Sequence, residues 1–131
     1  MRYLTVTMCL LTVAACGRSS PTSPSPVDTQ FTLGPGFTQA IAGTDAKLIF
    51  ISVPSDSRCP ANALCITGGD AVVRFDVTNE GRSSTHELHT GDMRPVKARD
   101  LTINLVEVAP YPFSTTPIPP GTYRVTFRVT R

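Results

Sequence analysis

Chemistry in this sequence is confined to a few side chains, and the most distinctive of them lie in Asp56-Ser57-Arg58-Cys59-Pro60-Ala61-Asn62-Ala63-Leu64-Cys65. Two cysteines with five residues between them suit a disulfide in an oxidising compartment. Redox pairs usually have two intervening residues at a helix N-terminus, where the thiol pKa is depressed, and neither feature is present. A structural bridge between Cys59 and Cys65 is therefore expected, with metal or redox use as the alternatives. Asp56 is placed to form an Asx turn and Arg58 to donate to loop carbonyls, which orders the loop; in the functional alternative the loop presents Arg58 to an acidic partner.

Three further groups invite a site. His86-Glu87-Leu88-His89, with Asp92 or Met93, has the side chains of a copper or zinc centre. On a strand, however, residues three apart point to opposite faces, so His86 falls beside Leu88 and His89 beside Glu87. No metal is expected there. Tyr111 and Phe113, in Pro110-Tyr111-Pro112-Phe113, sit on a proline-stiffened connection that either displays two aromatics for binding or caps the end of the fold. The chain has no G-x-S-x-G, no H-E-x-x-H and no phosphate-binding glycine loop, and its carboxylates are scattered singly, so no enzyme and no cofactor is expected.

The elements that must position these residues follow from patterning. Ala71, Val73, Phe75 and Val77 share one face with Arg74, Asp76 and Thr78 opposite, and Tyr123, Val125, Phe127 and Val129 repeat this against Arg124, Thr126 and Arg128. Leu48-Ile49-Phe50-Ile51 is apolar on both faces, as a central strand is. Leu101, Ile103 and Leu105 give way to Val106 and Val108, a change of phase that predicts a bulge. Asn79-Glu80-Gly81 reads as a hairpin turn, Pro120-Gly121 as a type II turn, and Gly34-Pro35-Gly36 as a break between two short strands. With 12 prolines, no tryptophan and no helical period, the expectation is an all-β fold. Two antiparallel sheets in an immunoglobulin-like β-sandwich of about seven strands bury these faces most economically, with a small β-barrel as the alternative.

At 131 residues the chain has the length of one domain, and 40% hydrophobic residues allow one modest core. A formal charge of +2 excludes the basic footprint of nucleic-acid binding. Met1-Arg2-Tyr3 followed by the apolar run from Leu4 to Ala15 matches a secretory signal, too short to span a bilayer. The run ends Leu11-Thr12-Val13-Ala14-Ala15-Cys16, which resembles the lipobox of bacterial lipoproteins. That resemblance implies cleavage before Cys16 and a lipid on its sulfur, anchoring the chain to a membrane. Gly17, where an Asp would retain a lipoprotein at the inner membrane, resembles the pattern of outer-membrane forms facing the periplasm or cell surface in a host with two membranes. Residues 1–15 are thus a signal, residues 16–30 a lipidated cysteine and Ser/Pro-rich tether, and residues 31–131 the domain.

Asp56 to Cys65, with Gly68-Gly69-Asp70-Ala71, resembles the DSRCP…C…G.A signature of a group of small, uncharacterised bacterial lipoproteins. The likeness extends through the domain to a final Gly-x-Tyr-x-Val strand, here Gly121 to Val125. Many members carry Trp two residues after the second cysteine, where this chain has Thr67. The resemblance implies membership and brings no activity with it. The expectation is a monomeric, lipid-anchored cell-envelope protein acting as a binding module toward an envelope protein, with Asp56, Arg58, Tyr111 and Phe113 on its contact loops. A protease inhibitor and a metal-handling protein are the rival readings.

Overall fold

The computed structural model describes residues 26–131. The signal, Cys16 and most of the tether lie outside the described residues. Eight strands follow: β1 (Asp28–Leu33), β2 (Thr38–Ala40), β3 (Lys47–Asp56), β4 (Ala71–Asn79), β5 (Arg82–His89), β6 (Val96–Ala98), β7 (Leu101–Ala109) and β8 (Arg124–Thr130). They form two antiparallel four-stranded sheets, ordered β1-β8-β7-β6 and β2-β3-β4-β5. The chain is a β-sandwich, one strand richer than the pattern suggested, and its sheets do not close into a barrel.

Alternation makes the core. The even inner face of β3 (Leu48, Phe50) and the odd inner face of β4 (Val73, Phe75) oppose Ile103, Leu105, Val125 and Phe127 of the other sheet, all buried. Phe127 lies at the centre, its ring 5.5 Å from that of Phe75, 6.2 Å from Phe50 and 6.1 Å from Phe31. Aromatic contacts from both sheets therefore meet on one side chain, in the tilted geometry that ring quadrupoles favour.

The predicted bulge in β7 is present: Leu105 pairs with Phe127 but Glu107 with Thr126, leaving Val106 unpaired. Val106 is thereby turned to solvent and Val108 back into the core. The β4–β5 hairpin closes through Glu80 and Gly81, both at positive φ, with Asn79 paired to Arg82. This is the twist-matched two-residue turn that such a dipeptide favours. Gly34-Pro35-Gly36 does separate two strands, and it also carries the chain from one sheet to the other.

Two boundaries differ from expectation. Asp28, Thr29 and Gln30 belong to β1 and not to the tether, because they pair with Thr130, Val129 and Arg128, and Asp28 holds Arg128 at 2.6 Å. Val27 is already buried. Pro120-Gly121 is not a type II turn, since Gly121 does not take positive φ; Pro120–Thr122 forms a 3-10 turn. Its backbone bond from Thr122 N to Pro119 O, 3.0 Å, is doubled by the Thr122 hydroxyl at 2.7 Å.

The register gives the sandwich two unlike poles. Asp56, Ala71, Ala109 and Arg124 bring the Cys59–Cys65 loop and the β7–β8 connection to one pole. Asp28 and Thr130 lie at the other, where Arg131 N donates to Val27 O at 3.0 Å.

Candidate functional site: the loop pole

β3 is irregular near its end, where the pairing shifts on either side of Ser52, and Pro54 has no N–H to give the ladder. The strand recovers to pair Asp56 with the fully buried Ala71, which sets the Asp56 carboxylate on the inner side of the sheet. That carboxylate is the centre of the pole. It accepts Arg58 Nε at 2.8 Å and Nη2 at 2.6 Å, the Arg58 backbone N–H at 3.2 Å, and the Tyr123 hydroxyl at 2.9 Å. Arg58 uses its remaining reach on the other sheet, donating from Nη1 to Val108 O at 2.7 Å and from Nη2 to Pro110 O at 3.0 Å. Its guanidinium carbon stands 5.3 Å from the centre of the Tyr111 ring.

The charges follow from this geometry. Burial pushes the Asp56 carboxyl upward, yet the bonds from Arg58 and Tyr123 outweigh it and hold the group below the ordinary 3.8. Tyr123, desolvated and donating to a carboxylate, is pushed up to about 12. The planar fork of Arg58 is what lets one side chain clamp a carboxylate and two carbonyls at once.

The disulfide joins Cys59 to Cys65 with Cα atoms 5.9 Å apart. Its loop is tied to the next one by Ala61 N to Pro112 O at 2.9 Å and Asn62 N to Phe113 O at 3.1 Å. A cis Ala109–Pro110 peptide starts that second loop. The two segments singled out separately in the sequence are therefore one surface. Closing a ring of about seven residues restricts the unfolded chain by roughly 2 kcal/mol. Reduction of the bridge is expected to lower unfolding stability by about that amount, read as a shift of the urea midpoint; an unshifted midpoint would contradict it. Intact mass should also rise by two hydrogens on reduction.

Asp56 and Arg58 thus lie beneath the surface, Arg58 only 9% exposed, and they order the loops without facing a partner. The guanidinium has no outward path because four of its contacts are internal. Tyr111, 58% exposed, covers it, and Phe113 stands free at 75%. Leu64 and Ile66, which flank Cys65, are fully exposed at 105% each and complete the apolar surface. Sequence reasoning passed over these two, although the signal was present: from Cys59 to Gly69 the chain holds no charged residue, yet two large aliphatics.

The histidines part as strand geometry predicts. His86 lies against Phe75, ring centres 5.7 Å apart, with Nε2 2.7 Å from Ser84 Oγ. His89 instead places Nδ1 2.6 Å from Asp70 Oδ2. Among the described residues, no three of His, Cys, Asp and Glu gather as metal ligands would. The other Asp70 oxygen accepts Gly91 N at 2.8 Å and Thr90 Oγ1 at 3.1 Å, so the pair fastens the start of β4 to the turn after β5.

The Asp70 bond raises His89 above its ordinary 6.5. Burial works to raise Asp70, but the bonds from His89, Gly91 and Thr90 prevail and hold it below 3.8. The pair therefore stabilises the fold fully only between those two ordinary values. Its contribution fades as pH rises through the raised value of His89, and again as pH falls through the lowered value of Asp70. The urea midpoint is expected to drop between about pH 5.5 and about pH 9, and His89→Gln should remove most of that difference. An equal drop in both proteins would contradict the pairing. The effect is small because both side chains are partly exposed.

Two cavities complete the surface. One of about 260 Å³ lies under the β7–β8 connection beside Asp56, Arg58 and Tyr123, whose polar atoms already bond each other. A wider one, about 660 Å³, opens at the opposite pole, where Arg99 pairs with Glu80 and Arg131 with Asp100.

Fold and site together define an all-β domain with one pole whose two tied loops expose apolar side chains over an internal ion pair, and one charged pole. No known protein family, curated protein or solved structure matches the chain.

Proposed function

We propose that this chain is a lipid-anchored cell-envelope protein, held to a membrane through Cys16, whose sandwich is a binding module working through the loop pole. The anchor rests on the Leu11–Cys16 sequence and its resemblance to lipoprotein signals. The binding surface rests on one observation: Leu64, Ile66, Phe113 and Tyr111 are left exposed on two loops tied to each other and closed by a disulfide. A disulfide, an internal ion pair and two cross-loop hydrogen bonds hold apolar side chains out in water, which costs the free protein and favours whatever covers them.

Photoreactive groups at Ile66 and Phe113, with Ser83 on β5 as control, test this in the native host. Recurrent products from the two pole positions, lacking at Ser83, are expected. Equal yields at all three would contradict the reading. A protease among the products would make the module an inhibitor. The anchor predicts that Cys16→Ala shifts the protein out of the lipidated form seen by mass spectrometry and changes its membrane fraction; unchanged mass and fraction would refute it.

A further inference from the structure

We infer that the loop pole contacts a phospholipid bilayer, its tips entering the interfacial layer; this names the partner of the binding module proposed above and rests on that reading. Two observations carry it. The first is charge: neither Cys59–Gly69 nor Ala109–Thr122 contains Asp, Glu, Lys or Arg, and the exposed charges of this pole are set aside on Asp92 and Arg94 in the turn after the edge strand β5, whereas Asp45, Glu80, Arg99, Asp100 and Arg131 crowd the opposite pole. Charged groups resist transfer toward hydrocarbon, and a protein partner would more commonly meet a polar, charge-bearing rim.

The second is the side-chain set. Leu64, Ile66 and Phe113 supply apolar tips, and Tyr111 supplies a ring with one polar end, the residue types that settle at membrane interfaces.

The path of the chain allows it. Residues ahead of Val27 leave from the charged pole, so this contact is separate from any lipid on Cys16. Pole to pole, nine-residue β7 spans about 30 Å. The ten residues from Gly17 to Pro26 reach about the same distance when extended, enough for the domain to lie along the bilayer that anchors it.

The chain has no tryptophan, so one introduced residue reports alone. The full chain as the host produces it is placed on phosphatidylcholine vesicles carrying bromine on the acyl chains, with Ile66→Trp or Ser83→Trp as reporter. Ile66→Trp is expected to shift to the blue and lose several-fold in intensity, while Ser83→Trp does neither. Adding Leu64→Asp to Ile66→Trp should abolish the quenching without moving the urea midpoint, which shows that the fold survives. Ile66→Trp emission no more quenched than that of Ser83→Trp overturns the inference. If host cross-linking at Ile66 then yields one protein, the binding module stands without the bilayer; if it yields nothing, both fall.

Discussion

Arg58→Ala is expected to lower unfolding stability by about 3–5 kcal/mol, the range for removing one partner of a buried ion pair. The loss has two parts. Asp56 is left with its carboxylate on the inner side of the sheet, keeping only the Tyr123 hydroxyl and the residue 58 backbone N–H of its present donors. Val108 O and Pro110 O lose their donors as well, and with them goes a side-chain link between the sheets. Arg58→Lys keeps the charge but cannot reproduce a fork that reaches a carboxylate and two carbonyls, so an intermediate loss is expected. The Ala variant should also be more acid-resistant in relative terms, since the Asp56 carboxyl no longer has a guanidinium holding it below 3.8. Urea unfolding of the three proteins at neutral and acidic pH measures all of this. A loss under about 1 kcal/mol for Arg58→Ala would place the guanidinium at the surface, where ion pairs contribute little.

Gly69→Ala is expected to be comparably damaging for a backbone reason. Gly69 takes φ +69°, and a Cβ there would fall 1.8 Å from Ser57 O and 2.9 Å from Arg58 Cα. These are main-chain atoms that no rotamer change can move aside. The left-handed conformation alone costs an alanine about 1 kcal/mol. Displacing Ser57 also breaks its bond to Asp70 O at 2.7 Å and disturbs that of Cys59 N to Gly68 O at 2.9 Å, the two that shape the neck of the disulfide loop. A total above about 3 kcal/mol follows, among the large effects reserved for strain and lost burial. Gly68→Ala is the control, because its Cβ would meet nothing within 4 Å. It should stay within about 0.5 kcal/mol of the parent. Equal effects at the two glycines would contradict the account of the neck.

The strands were legible because their information is local. Alternation in β4 and β8, the phase change at Val106 and the Glu80-Gly81 turn are each written in a few consecutive residues. β6 is three residues long, too short for alternation to register, so the count fell one short. The start of β1 was hidden because Asp28-Thr29-Gln30 is polar; only its pairing with β8, a hundred residues later, gives it a place.

The pole was half legible. Cys59 with Cys65, and the Asx turn at Asp56, follow from spacing. That Arg58 faces inward depends on Val108 and Pro110, some fifty residues distant, and no local pattern contains that contact. Once Arg58 is taken into the fold, the exposed character passes to Leu64 and Ile66. A chain rule that hides aliphatics would have buried them, yet neither the seven-residue ring that holds Leu64 nor the short segment after it that holds Ile66 has an interior to receive them.

The claim that these side chains serve contact and not folding is tested most directly by cross-linking in the host from a photoreactive group at Thr116. The parent is compared with a variant carrying Leu64→Ser, Ile66→Ser and Phe113→Ser. The account predicts products in the parent and their loss in the triple variant, whose urea midpoint stays at or above that of the parent. Undiminished products, or a triple variant that unfolds several kcal/mol more easily, would contradict it.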